Sequence, residues 1–309
     1  MDPATHSTEG QARTAPGHPG CVRLEATDAL VLATIACFAL LTLLFHGRVE
    51  GWQGLLARDL AAAAIFLAAM AVTGRIRNRW AWFVARTATV SLGLAWLFGA
   101  VAPLQLVLHG GWLDGRVLSL QARILGVQPT LWLEGFVRPW LTEWMMFAYV
   151  VYIPLYPLVC LAVYRGHGKR ALEECLLALG LANVACDFGF ILFPVAGPTA
   201  FMGHAYTVPL HGWVFTAVGE FIRSDLHYVG GSLPSPHAAA ATVMWVMAWR
   251  YSRRIAWVLT PVVLTLYVAT FYLRFHYLTD TVVGIATAAG ALAATPPLMR
   301  CWERSSAAR

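Results

Sequence analysis

Residues 255–273, IAWVLTPVVLTLYVATFYL, carry no charged side chain and are bracketed by Arg253 and Arg254 before and Arg274 after. A helix of that length covers roughly 30 Å, the thickness of a bilayer's hydrocarbon core. It has no polar face to turn toward water, so lipid or other apolar helices must surround it. The rest of the chain repeats the pattern. Of 309 residues, 59% are apolar and only 12% charged, too few charges to cover a soluble domain of this size. The fold class is an all-α integral membrane protein.

Seven further apolar runs flank the first: residues 29–45, 60–73, 81–106, 140–164, 172–193, 238–249 and 277–297. That gives eight candidate spans, read as a six-helix catalytic bundle with about two transmembrane helices before it. The second and sixth runs are short against the roughly 20 residues a crossing needs, so a re-entrant or interfacial second run stays open. No small-residue cleavage site follows the first run, which is read as an uncleaved span. Residues 1–27, rich in Gly, Pro, Thr and His, read as a disordered tail. Residues 28–139 hold the first membrane helices and an interfacial segment. The core occupies 140–298, and 299–309 form a second tail.

Loop charge sets the orientation. Arg75, Arg77 and Arg79 form one cluster, and Arg165, Lys169 and Arg170 a second. Arg250, Arg253 and Arg254 form a third, and Arg300, Arg304 and Arg309 a fourth. With eight spans all four fall on the side of the N-terminal tail, which the positive-inside rule makes cytoplasmic. The same rule absorbs the net charge of +6, so no nucleic-acid partner is expected. The long connections 107–139 and 194–236 then lie outside. Within them, residues 212–226 (GWVFTAVGEFIRSDL) set Trp213, Val214, Ala217, Phe221 and Ile222 opposite Glu220 and Arg223, the pattern of a helix lying in the interface. Residues 118–140 have similar chemistry, with Trp132 and Trp140 as belt aromatics and either anchoring or lipid admission as their role. The six cysteines show no CxxC or Cys/His metal spacing, and neither a disulfide framework nor a metal or cofactor is expected.

Three polar patches interrupt the apolar runs, all on the predicted outer side. They are Phe193-Pro-Val-Ala-Gly-Pro-Thr199, Gly230-Gly-Ser-Leu-Pro-Ser-Pro-His237 and Arg274-Phe-His-Tyr-Leu-Thr-Asp280. His276 and Asp280, four apart at a helix start, share a face. A carboxylate on one imidazole nitrogen leaves the other free to attack or to take a proton. Such a pair at a membrane helix start is costly unless it is used. Ser235 suits an N-cap and Pro236 the first helical position, making that helix start an anion site beside His237.

Together the patches resemble the type 2 phosphatidic acid phosphatase superfamily, membrane enzymes whose second motif reads PSxH and whose third ends HxxxD. Here these are Pro234-Ser235-Pro236-His237 and His276-Tyr-Leu-Thr-Asp280, within a resemblance covering roughly residues 140–298. It implies His276 as a nucleophile forming a phosphohistidine, Asp280 as its orienting partner and His237 as general acid, without a metal. The chain departs from the pattern where members carry Lys and Arg in the first motif (KxxxxxxRP). Those positions fall on Phe190 and Gly197, and Thr270 stands six before His276 where an Arg is usual. It therefore looks closer to the inositol phosphorylceramide synthase-like branch. Pro236, where many relatives have Gly, removes one phosphate-binding amide. Arg274 is the first candidate cation for the phosphate and Arg223 the second, with Ser235 as a further phosphate contact.

The expected function is a lipid phosphatase of the cell membrane, multi-pass, with its active site facing away from the cytoplasm. Its partners would be a lipid phosphate in the bilayer and water, or an alcohol in the alternative of a headgroup phosphotransferase. A non-catalytic membrane protein is the remaining alternative. Asp187 and Asn183 share an intramembrane face, Glu143 opens the fourth span, and His204, His211 and His227 lie in the outer loop, all outside the catalytic set.

Overall fold

A computed structural model describes residues 24–225 and 228–307. Among them are eleven α-helices and no strand. Most of the tail expected at 1–27, and His227, lie outside the described residues.

The first three helices, α1 (Ala26–Leu44), α2 (Trp52–Arg75) and α3 (Arg79–Ala100), follow the first three apolar runs. At 24 residues, α2 is long enough to cross a membrane, so the short run at 60–73 understates its helix. Two short elements, α4 (Asp114–Leu125) and α5 (Pro129–Trp132), precede α6 (Pro139–Leu192). Gly168, at φ 77° and ψ −164°, breaks α6 into two legs, which match the separate runs at 140–164 and 172–193. A one-turn α7 (Pro198–Met202) and the amphipathic α8 (Val214–Asp225) come next. The last three are α9 (Pro236–Tyr251), α10 (Arg253–Tyr272) and α11 (Leu278–Ala307). Helix α11 continues through most of the segment assigned as a second tail.

Among the described residues six helices are long and apolar enough to cross a membrane, counting both legs of α6 as one; α9, at 16 residues, is shorter. It sits at the centre of the bundle, packed against α6, α10 and α11. Ala238, Ala239, Ala240 and Ala241 are all buried there. Small side chains let helices approach where no hydrophobic effect drives them together. Around the outside, Leu60, Ile65, Leu92 and Val258 are each 70% exposed, which suits acyl chains and not water. A buried ion-pair cluster ties α1, α3 and the second leg of α6: Arg86 donates to Asp28 and, at 2.7 Å through two nitrogens, to Glu173.

Candidate active site

The three polar patches meet at one end of this bundle. The first crosses that end after α6 and turns at Gly197, whose φ is +94°. A Cβ there would lie 3.3 Å from both the Phe275 carbonyl oxygen and Ser232 Oγ. A side chain there would be strained by the backbone conformation and crowded by these two neighbours. Asp114, at the start of α4, anchors this turn. It is fully buried, and its carboxylate accepts from Ala196 N–H (2.8 Å), Gly197 N–H (3.0 Å) and the Tyr277 hydroxyl (2.9 Å). Burial raises the Asp114 pKa above the ordinary carboxylate value, against those hydrogen bonds.

The second patch leads into α9. Ser235 is the N-cap, its Oγ accepting from Ala238 N–H at 3.4 Å, with Pro236 in the first turn. Its own N–H donates to the Asp280 carbonyl at 2.9 Å, locking the start of α9 to that of α11. The approach is close enough that a Cβ on Gly284 would sit 2.5 Å from the Ser235 carbonyl oxygen. Ser235 is completely buried, so its hydroxyl faces the helix start it caps.

The third patch is the turn from α10 to α11. Phe275 and His276 both donate their N–H groups to the Thr270 carbonyl, at 3.1 and 3.0 Å. Arg274 takes a left-handed conformation (φ 65°), which costs a non-glycine residue of order 1–2 kcal/mol. Thr199 Oγ holds that turn by donating to the Arg274 carbonyl at 2.7 Å.

These turns bring His276, His237 and Asp280 into one cluster with Ser232. His276 is 2% exposed. Its Nδ1 lies 3.0 Å from the Ser232 carbonyl oxygen. A carbonyl only accepts, so Nδ1 carries a proton, and in the neutral ring the lone pair is on Nε2. Nε2 faces His237 Nδ1 at 3.3 Å. Here the structure corrects the expected direct His–Asp hydrogen bond. Asp280 Oδ2 is 3.8 Å from His276 Nδ1 and instead accepts from Ser232 Oγ (2.6 Å) and Tyr277 N–H (2.9 Å). Tautomer control falls to the Ser232 carbonyl, with the Asp280 carboxylate beside the ring.

His237 is half-buried in an aromatic pocket. Tyr149 stacks on it at 4.4 Å between centroids and 25° between planes, and Tyr152 lies at 4.9 Å. The other face of Tyr149 stacks on Phe275 at 4.4 Å and 11°. One ring of α6 therefore fixes the segments bearing both histidines. Sequence reading missed Tyr149, Ser232, Asp114 and Tyr277 as site components. Only Ser232 and Tyr277 stood inside quoted patches; Tyr149 looked like any membrane-interface aromatic, and Asp114 belonged to an unrelated loop.

The two arginines proposed for a phosphate are engaged elsewhere. Arg274 NH2 donates to Glu134 (3.0 Å) and to the Val208 carbonyl (2.6 Å), with the guanidinium 4.1 Å from the Tyr206 ring centre. Burial lowers its pKa from the usual arginine value, opposed by Glu134. Arg223 pairs with Glu220, both partly exposed on α8. Glu143 caps α8, accepting from the N–H groups of Trp213, Phe215 and Thr216. Asn183 donates to Tyr156 Oη at 3.2 Å, and Asp187 is buried within the second leg of α6.

Neither the curated proteins nor the solved structures contain a match to the chain. The sequence profile of the PAP2 superfamily does match, over residues 116–294. Members are generally phosphatases and phosphotransferases. The match spans more than half of the chain and encloses all three converging segments, so the protein belongs to the PAP2 superfamily.

Proposed function

We propose that this protein is a membrane lipid phosphatase that cleaves a lipid-linked phosphate ester through a phosphohistidine on His276, at the extracytoplasmic face. The observation that carries this reading is the His276 ring itself. With Nδ1 donating to Ser232, the Nε2 lone pair is presented toward His237 at 3.3 Å. In the first step Nε2 attacks phosphorus, the P–O bond to the lipid breaks, and the departing oxygen takes a proton from His237. The phosphorylated imidazole keeps its Nδ1 proton and is cationic, and the Asp280 carboxylate 3.8 Å away stabilises that charge. In the second step water gives a proton to His237 and attacks phosphorus. The P–N bond breaks, its electrons return to Nε2, and phosphate leaves. The extracytoplasmic placement rests on loop charge.

Phosphate release from lipid monoesters by the purified protein in nanodiscs tests the reading, with His276→Ala expected to abolish it. His237→Ala should slow both formation and hydrolysis of the acid-labile, base-stable phosphoenzyme. Unchanged phosphate release in both variants would refute the histidine mechanism, and a wild type without any release would leave a non-catalytic membrane protein.

One observation favours headgroup transfer as a second reading. Gly197 replaces the motif arginine, and Arg274 and Arg223 are paired to carboxylates. A site poor in available cations suits a phosphodiester monoanion better than a monoester dianion. Adding an acceptor alcohol with a labelled phospholipid donor separates the two: a labelled lipid product indicates transfer, and free phosphate from monoesters indicates hydrolysis.

A further inference from the structure

Helix α4 has two faces with different business. Its inner face is bound to the candidate active site: Asp114 accepts from the Tyr277 hydroxyl, the Gln121 amide oxygen accepts from Thr279 Oγ1 at 2.9 Å, and Val117 is buried. Its outer face, with the turn before it, lines an open groove of about 770 Å³ through Trp112, Arg116, Ser119, Leu120 and Arg123 among others. Arg116, Ser119, Leu120 and Arg123 are spaced at helical repeats that put them on one stripe. The two arginines are about 10 Å apart along the axis, so their side chains reach a common point from either side. Among the described residues, neither guanidinium has a carboxylate within ion-pair distance, in contrast to Arg86, Arg170, Arg223, Arg250 and Arg274. No carboxylate lines the groove.

Next to these cations the helix exposes apolar side chains, with Ile124 at 70%, Leu120 at 46% and Leu125 at 44%. Water is a poor solvent for that strip, and the junction of acyl chains and headgroups is a good one. We propose that this groove docks the headgroup of a resident anionic phospholipid of the bilayer. Its phosphodiester is held by Arg116 and Arg123, and its chains lie along Leu120 and Ile124. The attachment of the inner face to Tyr277 and Thr279 keeps the groove at the same end of the bundle as the three polar segments. This site is separate from the histidine pair and does not require that any ester be cleaved.

Native mass spectrometry of the full-length protein, titrated with phosphatidylglycerol or phosphatidylcholine in matched micelles, tests the proposal without reference to activity. The wild type should retain one phosphatidylglycerol more than R116Q/R123Q. Each arginine should contribute about fivefold to the apparent affinity, and phosphatidylcholine binding should be the same in both proteins. R116K/R123K should recover most of the retention. The single variants R116Q and R123Q provide the same reading if the double variant does not fold, each losing about fivefold. Equal phosphatidylglycerol retention by wild type and the glutamine variants would overturn the proposal. So would displacement of phosphatidylglycerol by glycerol 1-phosphate at comparable concentration, because the groove would then be an anion site without lipid selectivity.

Discussion

Replacing Asp280 with Asn isolates the charge of this carboxylate from its structural role, because of how its two oxygens are used. Oδ2 accepts from both Ser232 Oγ and Tyr277 N–H, whereas Oδ1 is buried without a hydrogen-bond partner among the described residues. An asparagine with its carbonyl oxygen in the Oδ2 position keeps both bonds, and its NH2 occupies the place of the unpartnered atom. His276 also keeps its tautomer, since Nδ1 donates to the Ser232 carbonyl. What disappears is one negative charge 3.8 Å from a ring that becomes cationic when phosphorylated. At an effective dielectric of about 20 that interaction is worth about 4 kcal/mol, or roughly a 10³-fold fall in turnover. Initial rates of phosphate release for wild type, D280N and H276A, each checked by thermal unfolding, make the measurement. D280N should retain activity well above H276A. If D280N is as inactive as H276A, the Ser232 carbonyl does not hold the tautomer. A loss of less than tenfold would sink the electrostatic role instead.

Two further predictions concern residues outside the motifs. Asp114→Asn cannot serve Ala196 N–H, Gly197 N–H and the Tyr277 hydroxyl together, because one accepting oxygen becomes a donor; destabilisation of about 1–3 kcal/mol is expected. The folded-state pKa of Asp114 lies above its unfolded value, so the folded protein binds more protons through that interval. The wild type should therefore gain stability relative to D114N as pH falls through the raised pKa, levelling below the ordinary aspartate range; thermal unfolding across pH that shows the gap shrinking on acidification would contradict this. Tyr149→Phe should keep the stack between His237 and Phe275 and stay within about threefold of wild-type turnover. Tyr149→Leu should lose about 0.5–1.5 kcal/mol of ring-stacking energy beyond area burial and lower turnover more than KM, and equal rates for the two variants would show that the stack does not position His237.

Several features were legible in the chain because their causes are local. Uncharged runs such as 255–273 become helices wherever they are placed, since a bilayer leaves the backbone no other partner than itself. The break at Gly168 falls between two runs already separated by charged residues, and α8 shows its amphipathic period without help. Ser235 caps α9 as a Ser-Pro pair at a helix start should. The two histidine motifs were readable because each is contiguous, and their convergence followed from topology.

What only the tertiary structure decided is who faces whom within that cluster. His276 was expected to lean on Asp280 from its own helix. Its hydrogen bond goes instead to Ser232, 44 residues earlier, with Asp280 joined through the same serine. Arg274 looked available on an outer turn, yet Glu134, 140 residues away, takes its guanidinium. Asp114 and Tyr277 are separated by 163 residues and meet as a hydrogen-bonded pair. Helical periodicity specifies neighbours three or four positions apart, and hydrophobicity specifies which residues avoid water. Neither determines which buried polar groups from distant segments satisfy one another. That depends on the packing of α4, α6, α9 and α11 at one end of the bundle, where desolvated donors and acceptors must find partners in whatever geometry the packing provides.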